Sequence, residues 1–177
     1  MKKIILALVA ILVIGAGVLF AINSKSNYDP TKYYLKITPQ DKPFDIGSKI
    51  EFKLPDQFNR AHELSDDTKK LIFVFTKETG HTFKSFMANK KKGFLEEKKA
   101  VAVADVSKMP TFILNTFAMP DFKKSNYPLL LIYDKEMAKK LKENRDTTKV
   151  IVIDLDKRRV KKINYAKDEK ELESLVK

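Results

Sequence analysis

Apolar residues run without interruption from Ile4 to Ile22, between Met1-Lys2-Lys3 and Asn23. As a helix this run reaches about 28 Å at ~1.5 Å per residue, close to the ~30 Å hydrocarbon core of a bilayer. No face of it is polar, which argues against an ordinary core helix. Secretory signals carry a shorter apolar stretch of ~7–15 residues and a small-x-small site after it. Here Gly15-Ala16-Gly17 lies inside the run. The pattern favours an uncleaved signal anchor over a cleaved signal, with Lys2 and Lys3 on the cytoplasmic side. Lys25 and Lys32 beyond the run weaken that orientation signal.

After the run the period changes. Residues 23–45 are rich in Ser, Asn and Pro and read as a flexible tether, with a short extended piece at Tyr33–Ile37. Ile50, Phe52 and Leu54 alternate with polar residues, as in a half-buried strand. Pro55-Asp56 and Asn59-Arg60 mark turns, and His62–Leu64 reads as a short returning strand. Leu71–Phe75 and Leu129–Tyr133 are continuous apolar runs suited to strands buried on both faces. Ala100–Asp105 is a further strand.

Helical spacing appears at Phe83, Phe86 and Met87, with Thr79 or Thr82 as the N-cap. It appears again at Phe112, Ile113, Thr116 and Phe117, between Pro110 at the start and Pro120 as a stop. Lys135–Glu143 predicts a short helix with Met137 and Leu141 inward. Val150–Leu155 and Val160–Tyr165 predict a hairpin around Asp156-Lys157-Arg158-Arg159, and a last helix from Asp168 turns Leu172, Leu175 and Val176 inward. Strands alternating with helices and closing on a hairpin predict an α/β domain over 46–177, behind an anchor (1–22) and a tether (23–45).

Composition narrows the chemistry. The chain has 177 residues and no Cys. Disulfides, thiol catalysis and thiolate metal sites are therefore excluded. Net charge is +12, but the Lys clusters are dispersed along the chain, the usual form of a solvated surface. Basic charge also favours anionic lipid headgroups. No recognition motif accompanies it, so nucleic acid is not an expected partner. His62 and His81 have no ligand-spaced companions, so no metal is expected. No Gly-rich dinucleotide fingerprint follows a strand, so no cofactor is expected either.

Several stretches carry a family likeness. Phe52-Lys53-Leu54-Pro55-Asp56-Gln57-Phe58 with His62-Glu63-Leu64 resembles the opening hairpin of peroxiredoxin-type sequences. Ile72-Phe73-Val74-Phe75 resembles the strand that leads into the thioredoxin active-site helix, and Asn126 to Tyr133 resembles the segment where such proteins place a cis-proline before a strand. The stretches Lys92 to Glu96, Ala102 to Pro110 and Phe117 to Pro120 are similar to a bacterial family of exported thioredoxin-like proteins that lack the active-site cysteines. The resemblance covers residues 46–177. It implies a thioredoxin-like mixed sheet flanked by helices, with an N-terminal hairpin.

By that resemblance the thioredoxin dithiol falls at Gly80-His81-Thr82-Phe83 and the peroxidatic position near Lys84, and neither holds sulfur. Thiolate attack is the chemistry of both families, so the fold carries over and the activity does not. His81 is then the one candidate catalytic residue, on a loop before the first long helix and near Lys77 and Glu78. Thr79, Gly80, His81, Thr82, Tyr127 and Pro128 are candidate binding residues, the resemblance making Pro128 a cis-proline that shapes a groove beside His81. Plainer roles stand against these: an exposed histidine, helix caps and a proline that preserves the fold. The expected function is a redox-inactive domain held in the cytoplasmic membrane by Ile4–Ile22. It would face the periplasm in a Gram-negative host and bind a protein or peptide partner of the cell envelope. A thiol-independent enzyme using His81, or a basic lipid- or polyanion-binding module, are the alternatives.

If the run is an anchor, N-terminal sequencing of protein recovered from membranes is expected to start at Met1 or Lys2. A start beyond Gly17 would show a cleaved signal instead.

Overall fold

The computed structural model describes residues 18, 20, 21, 24–26 and 28–177. The expected anchor falls almost entirely outside them. Among the described residues no helix is long and apolar enough to cross a membrane.

The strands are β1 (Tyr34–Thr38), β2 (Lys49–Pro55), β3 (Ala61–Glu63), β4 (Lys70–Val74), β5 (Ala100–Asp105), β6 (Leu129–Ile132), β7 (Val150–Asp156) and β8 (Arg159–Ala166). The helices are α1 (Lys77–Ala88), α2 (Phe94–Glu97), α3 (residues 111–122), α4 (Lys135–Lys142) and α5 (Glu169–Val176). The sheet runs β1-β2-β8-β7-β4-β5-β6, with β3 paired to β2. β4, β5 and β6 are parallel, as the alternation with α1 and α3 requires, and β7 and β8 are antiparallel to their neighbours.

Successive side chains of β4 enter opposite layers. Ile72 and Val74 join Phe83, Phe86, Leu114 and Leu172 under α1, α3 and α5. Leu71 and Phe73 join Ile37, Phe44, Phe52 and Leu141 under β1, β2 and α4. Within the segment read as a tether with a short extended piece at Tyr33–Ile37, Tyr33, Ile37 and Phe44 are buried and β1 pairs with β2 from Tyr34↔Lys53 to Thr38↔Lys49. The polar spacing of that segment reflects an edge strand with one face in water.

Three further local expectations are corrected. The N-cap of α1 is Thr76, not Thr79 or Thr82. Its hydroxyl accepts from the Thr79 N–H, and the Thr79 hydroxyl accepts from the Thr76 N–H in return, a reciprocal capping box. Pro120 does not stop α3. A π turn at Leu114–Ala118 separates α-helical turns at Thr111–Ile113 and Met119–Phe122. The wider turn seats Pro120, which has no N–H to donate and crowds the carbonyl four residues back. Finally, the cis peptide among the described residues is Thr38–Pro39, so Tyr127–Pro128 is trans. Pro128 stands just before β6, where its missing N–H costs no ladder bond. The buried side chain of Gln57 spans it instead, donating to the Tyr127 carbonyl at 2.8 Å and accepting from the Leu129 N–H at 2.9 Å.

The turn from β2 to β3 is organised by Asp56, whose side chain has 0% exposure. It accepts from the backbone N–H of Phe58 and Arg60, from the Arg60 guanidinium and from His62 Nε2 at 3.0 Å. Burial alone raises its pKa, but these hydrogen bonds outweigh it and hold the carboxyl below the ordinary aspartate value. At the β7–β8 hairpin, Lys157 (φ 47°) and Arg158 (φ 64°) both occupy the left-handed region, as the two central positions of a type I′ turn require.

Two outcomes are expected. Lys157→Gly removes the left-handed strain of a side-chain-bearing residue, stabilises the domain by about 1 kcal/mol and raises the melting midpoint by about 2–4 °C. The Asp56 contribution is complete above the unfolded aspartate pKa of about 3.9 and disappears as pH falls through that range towards the lower folded value. Asp56→Asn is therefore expected to cost about 2 kcal/mol at neutral pH and to flatten the acid side of the stability profile. Chemical denaturation at stepped pH measures both effects.

Candidate functional site

α1 begins at the C-terminal end of β4, where the resemblance puts a reactive sulfur. Gly80, His81, Thr82 and Phe83 lie in its first two turns, so His81 is in the helix and not on a loop before it. The Thr76 cap draws the helix start forward. Thr79 is buried and spends its hydroxyl on the backbone of Phe75 and Thr76. The Thr82 hydroxyl donates to the Glu78 carbonyl. Phe83 is a core residue. A side chain at Gly80 would meet open space.

His81 is exposed and makes no hydrogen bond or ion pair with a described residue. The nearby Glu78 carboxylate is held below its ordinary pKa, first by its own backbone N–H and then by the Thr76 hydroxyl, with Lys77 and His81 adding smaller charge effects. It serves the helix N-terminus. No base–nucleophile relay is assembled there.

The six candidate binding residues do not line one groove. The Tyr127 ring meets Phe83 edge-on at 5.6 Å between centroids, and burial raises its pKa. That contact is core packing. Pro128 instead lines a cavity of about 110 Å³ with Phe52, His62, Leu95 and Val101. His62 belongs to the Asp56 cluster. Among the described residues no three His, Cys, Asp or Glu side chains come together as a metal site.

A larger cleft, about 750 Å³, opens beyond the C-terminal ends of β5 and β6. Parallel strands leave such a crevice because their connections diverge there, and the volume lies within the ~300–1,000 Å³ range of ligand pockets. Its floor is Val106, Ser107 and Met109 from the β5–α3 connection. One wall is α3, through Leu114, Asn115 and Met119, with Lys123 just after it at the rim. The other is Gln57, Phe58 and Asn59 from the β2–β3 turn. Lys25, Ser26 and Tyr28 form the rim. Tyr28 stacks between Tyr33 (5.5 Å) and Tyr133 (4.6 Å), and the Asn115 amide donates to the Lys25 carbonyl. These contacts lay the N-terminal segment along the mouth. Burial raises the pKa of both Tyr28 and Tyr133, so each hydroxyl stays protonated at neutral pH.

Ser107 is the notable group. It is 9% exposed. Its N–H donates to Asp105, yet its hydroxyl has no partner. A buried hydroxyl left unpaired costs about 1–3 kcal/mol. The Asp105 carboxylate below it is paired with Lys142 at 2.5 Å, and is not available to Ser107 as a proton acceptor for catalysis. None of the residues around this cleft was a site candidate from the sequence, although Gln57, Phe58, Val106, Ser107, Met109 and Met119 lie in stretches that carried the family likeness. The signal for a cleft was topological: a connection leaving the carboxyl end of a parallel strand at Asp105, just before Pro110.

No protein-family model matches the chain, and no curated protein matches it. Solved structures do. The chain is similar to a candidate protein disulfide isomerase from Bacteroides thetaiotaomicron, with 20% identity over 80% of this chain and 89% of that one, at a TM-score of 0.50. It is also similar to the peroxidoxin BcpB from Mycobacterium tuberculosis (18% identity, 76% and 94% covered, TM-score 0.47). A third is StoA from Bacillus subtilis (16% identity, 72% and 96% covered, TM-score 0.47). At such identities the likeness concerns architecture alone. With the sheet order and the helix after β4, it shows a thioredoxin-like fold, carried here by a chain that has no cysteine to perform thiol–disulfide chemistry.

Proposed function

We propose that this protein is a membrane-held, redox-inactive binding module whose cleft beyond β5 and β6 takes an extended, acidic peptide segment of a partner in the cell envelope. The observation that carries the reading is the unpartnered Ser107 hydroxyl at the floor of a cleft of ligand size. The hydroxyl is covered in the free protein; it both donates and accepts, so a peptide N–H or carbonyl satisfies it once the lining side chains move aside.

The lining fits such a segment. Phe58 offers a flat apolar surface, the Tyr28–Tyr133 stack offers ring edges, and Met109 and Met119 offer adaptable contacts. Lys25 and Lys123 stand at the rim and form no ion pair with a described residue, which favours negative charge in the ligand. The absence of cysteine removes the covalent step of the fold's thiol-using members, leaving recognition. The apolar run Ile4–Ile22 supports attachment to the cytoplasmic membrane with the domain outside the cytoplasm. Nothing around His81 favours the thiol-independent enzyme.

A photoreactive amino acid in place of Met119, in cells producing the full chain, tests the reading. The expected result is one discrete adduct, absent when the same group replaces the remote, exposed Ile46. Ser107→Val leaves the free protein at least as stable and is expected to lower adduct yield up to about tenfold, the value of one hydrogen bond of ~1.4 kcal/mol. Equal labelling from both positions, or full yield from the Ser107→Val chain, contradicts a ligand seated on Ser107.

A further inference from the structure

α3 is apolar on two opposite sides. Leu114 is buried, and Ala118, Met119 and Phe122 pack inward with it on the helical-layer core. Outward, Ile113 is 41% exposed and Phe117 is 62% exposed. The Phe112 ring lies 6.4 Å from that of Phe117. A helix apolar around its circumference is ordinarily covered on every side; here the outer side has no protein cover among the described residues, apart from Phe20. That contact indicates what the cover is. The Phe20 ring sits 4.9 Å from Phe112, and Phe20 belongs to the end of the apolar run Ile4–Ile22. The outer face of α3 therefore continues the surface of the segment read as the membrane anchor.

Charge agrees with position. Lys108 precedes the helix and Lys123 and Lys124 follow it, all three exposed and in no ion pair with a described residue. The one acidic residue of α3, Asp121, is neutralised by Lys84 at 2.7 Å. An apolar face flanked by unpaired lysines is the form of a helix lying in the headgroup layer of an anionic membrane.

We infer that α3 docks on the bilayer, with Phe112, Ile113 and Phe117 entering the boundary between headgroups and acyl chains and Lys108, Lys123 and Lys124 on anionic headgroups. The inference rests on the anchor reading of Ile4–Ile22. It adds that the domain is held against the membrane in one orientation, with the rim of the peptide cleft, which includes Lys25 and Lys123, at the membrane surface.

The chain has no Trp, so Phe117→Trp places a single reporter on an exposed site. The full chain is reconstituted into phosphatidylcholine–phosphatidylglycerol vesicles whose acyl chains are brominated at shallow positions. The expected result is blue-shifted emission and loss of about half of it, matching the ~5–10 Å depth of interfacial helices. Ile46→Trp is expected to emit as in water. Adding Lys123→Glu and Lys124→Glu to the Phe117→Trp chain is expected to bring quenching down to the Ile46→Trp level. Quenching of Phe117→Trp no greater than that of Ile46→Trp overturns the docking. So does a blue shift without quenching that grows with the number of chains per vesicle, since a second copy then covers the face. An alkaline wash separates the two readings. Chain released by it refutes the anchor, and the released Phe117→Trp chain added to the same vesicles then decides docking by the same quenching.

Discussion

The central strand β4 is buried on both faces, and most of the architecture follows from that. Leu71, Ile72 and Phe73 are almost wholly excluded from water, and alternation sends neighbouring side chains into opposite layers. Each fully buried side chain of this size contributes about 1.5–3 kcal/mol only where a complete layer covers it. One side is covered by α1, α3 and α5. The other has no long helix, only α4, and is completed by β1, β2 and Phe44. The segment before β2 is therefore drawn into the domain, and its chain upstream is carried round to the ends of β5 and β6. There Tyr28 stacks on Tyr133.

The open space of this fold does not lie where the resemblance puts the reactive group. In a thiol enzyme of this architecture the start of the helix after β4 carries the reactive group. Here Thr76 and Thr79 close that helix end on each other and Phe83 fills the core beneath. The space lies instead next door, between the β5–α3 connection and the β2–β3 turn. Gln57 ties that turn to β6 by hydrogen bonds on both sides of Pro128, and the buried Asp56 carboxylate holds the turn itself together through four donor groups. The cleft is thus bounded by rigid elements on two sides and by the N-terminal segment on the third. Among the described residues its floor hydroxyl has no hydrogen-bond partner and its rim lysines have no counter-ion.

α3 connects this cleft to the membrane reading. Its π turn keeps a helix continuous through Pro120, so one element lines the cleft with Leu114, Asn115 and Met119 and presents Ile113 and Phe117 outward. The lysines divide by location. Lys70, Lys90 and Lys142 are partly buried partners of Asp154, Glu173 and Asp105, whereas Lys108, Lys123 and Lys124, beside the apolar face, pair with none of the described residues. Net charge alone did not distinguish these groups, because an ion pair depends on residues distant in sequence.

The sequence by itself determined the strands and helices whose apolar period matches their burial. Ala100–Asp105 is a strand at those limits, the hairpin turns at Lys157-Arg158, and Leu172 and Val176 face inward in the last helix. It also settled that no thiol chemistry is available, since that needs a cysteine and the chain has none. Only tertiary structure decided the rest. A polar-spaced segment became the edge strand β1 because an uncovered layer needed it. The Gln57 amide, 71 positions away in sequence from Pro128, came to bridge the backbone on either side of it. The cleft and its unpaired hydroxyl arise where four loops distant in the chain converge. Local periodicity reports which way a residue faces within its own element; which groups meet, and which meet nothing, is set by how the layers close.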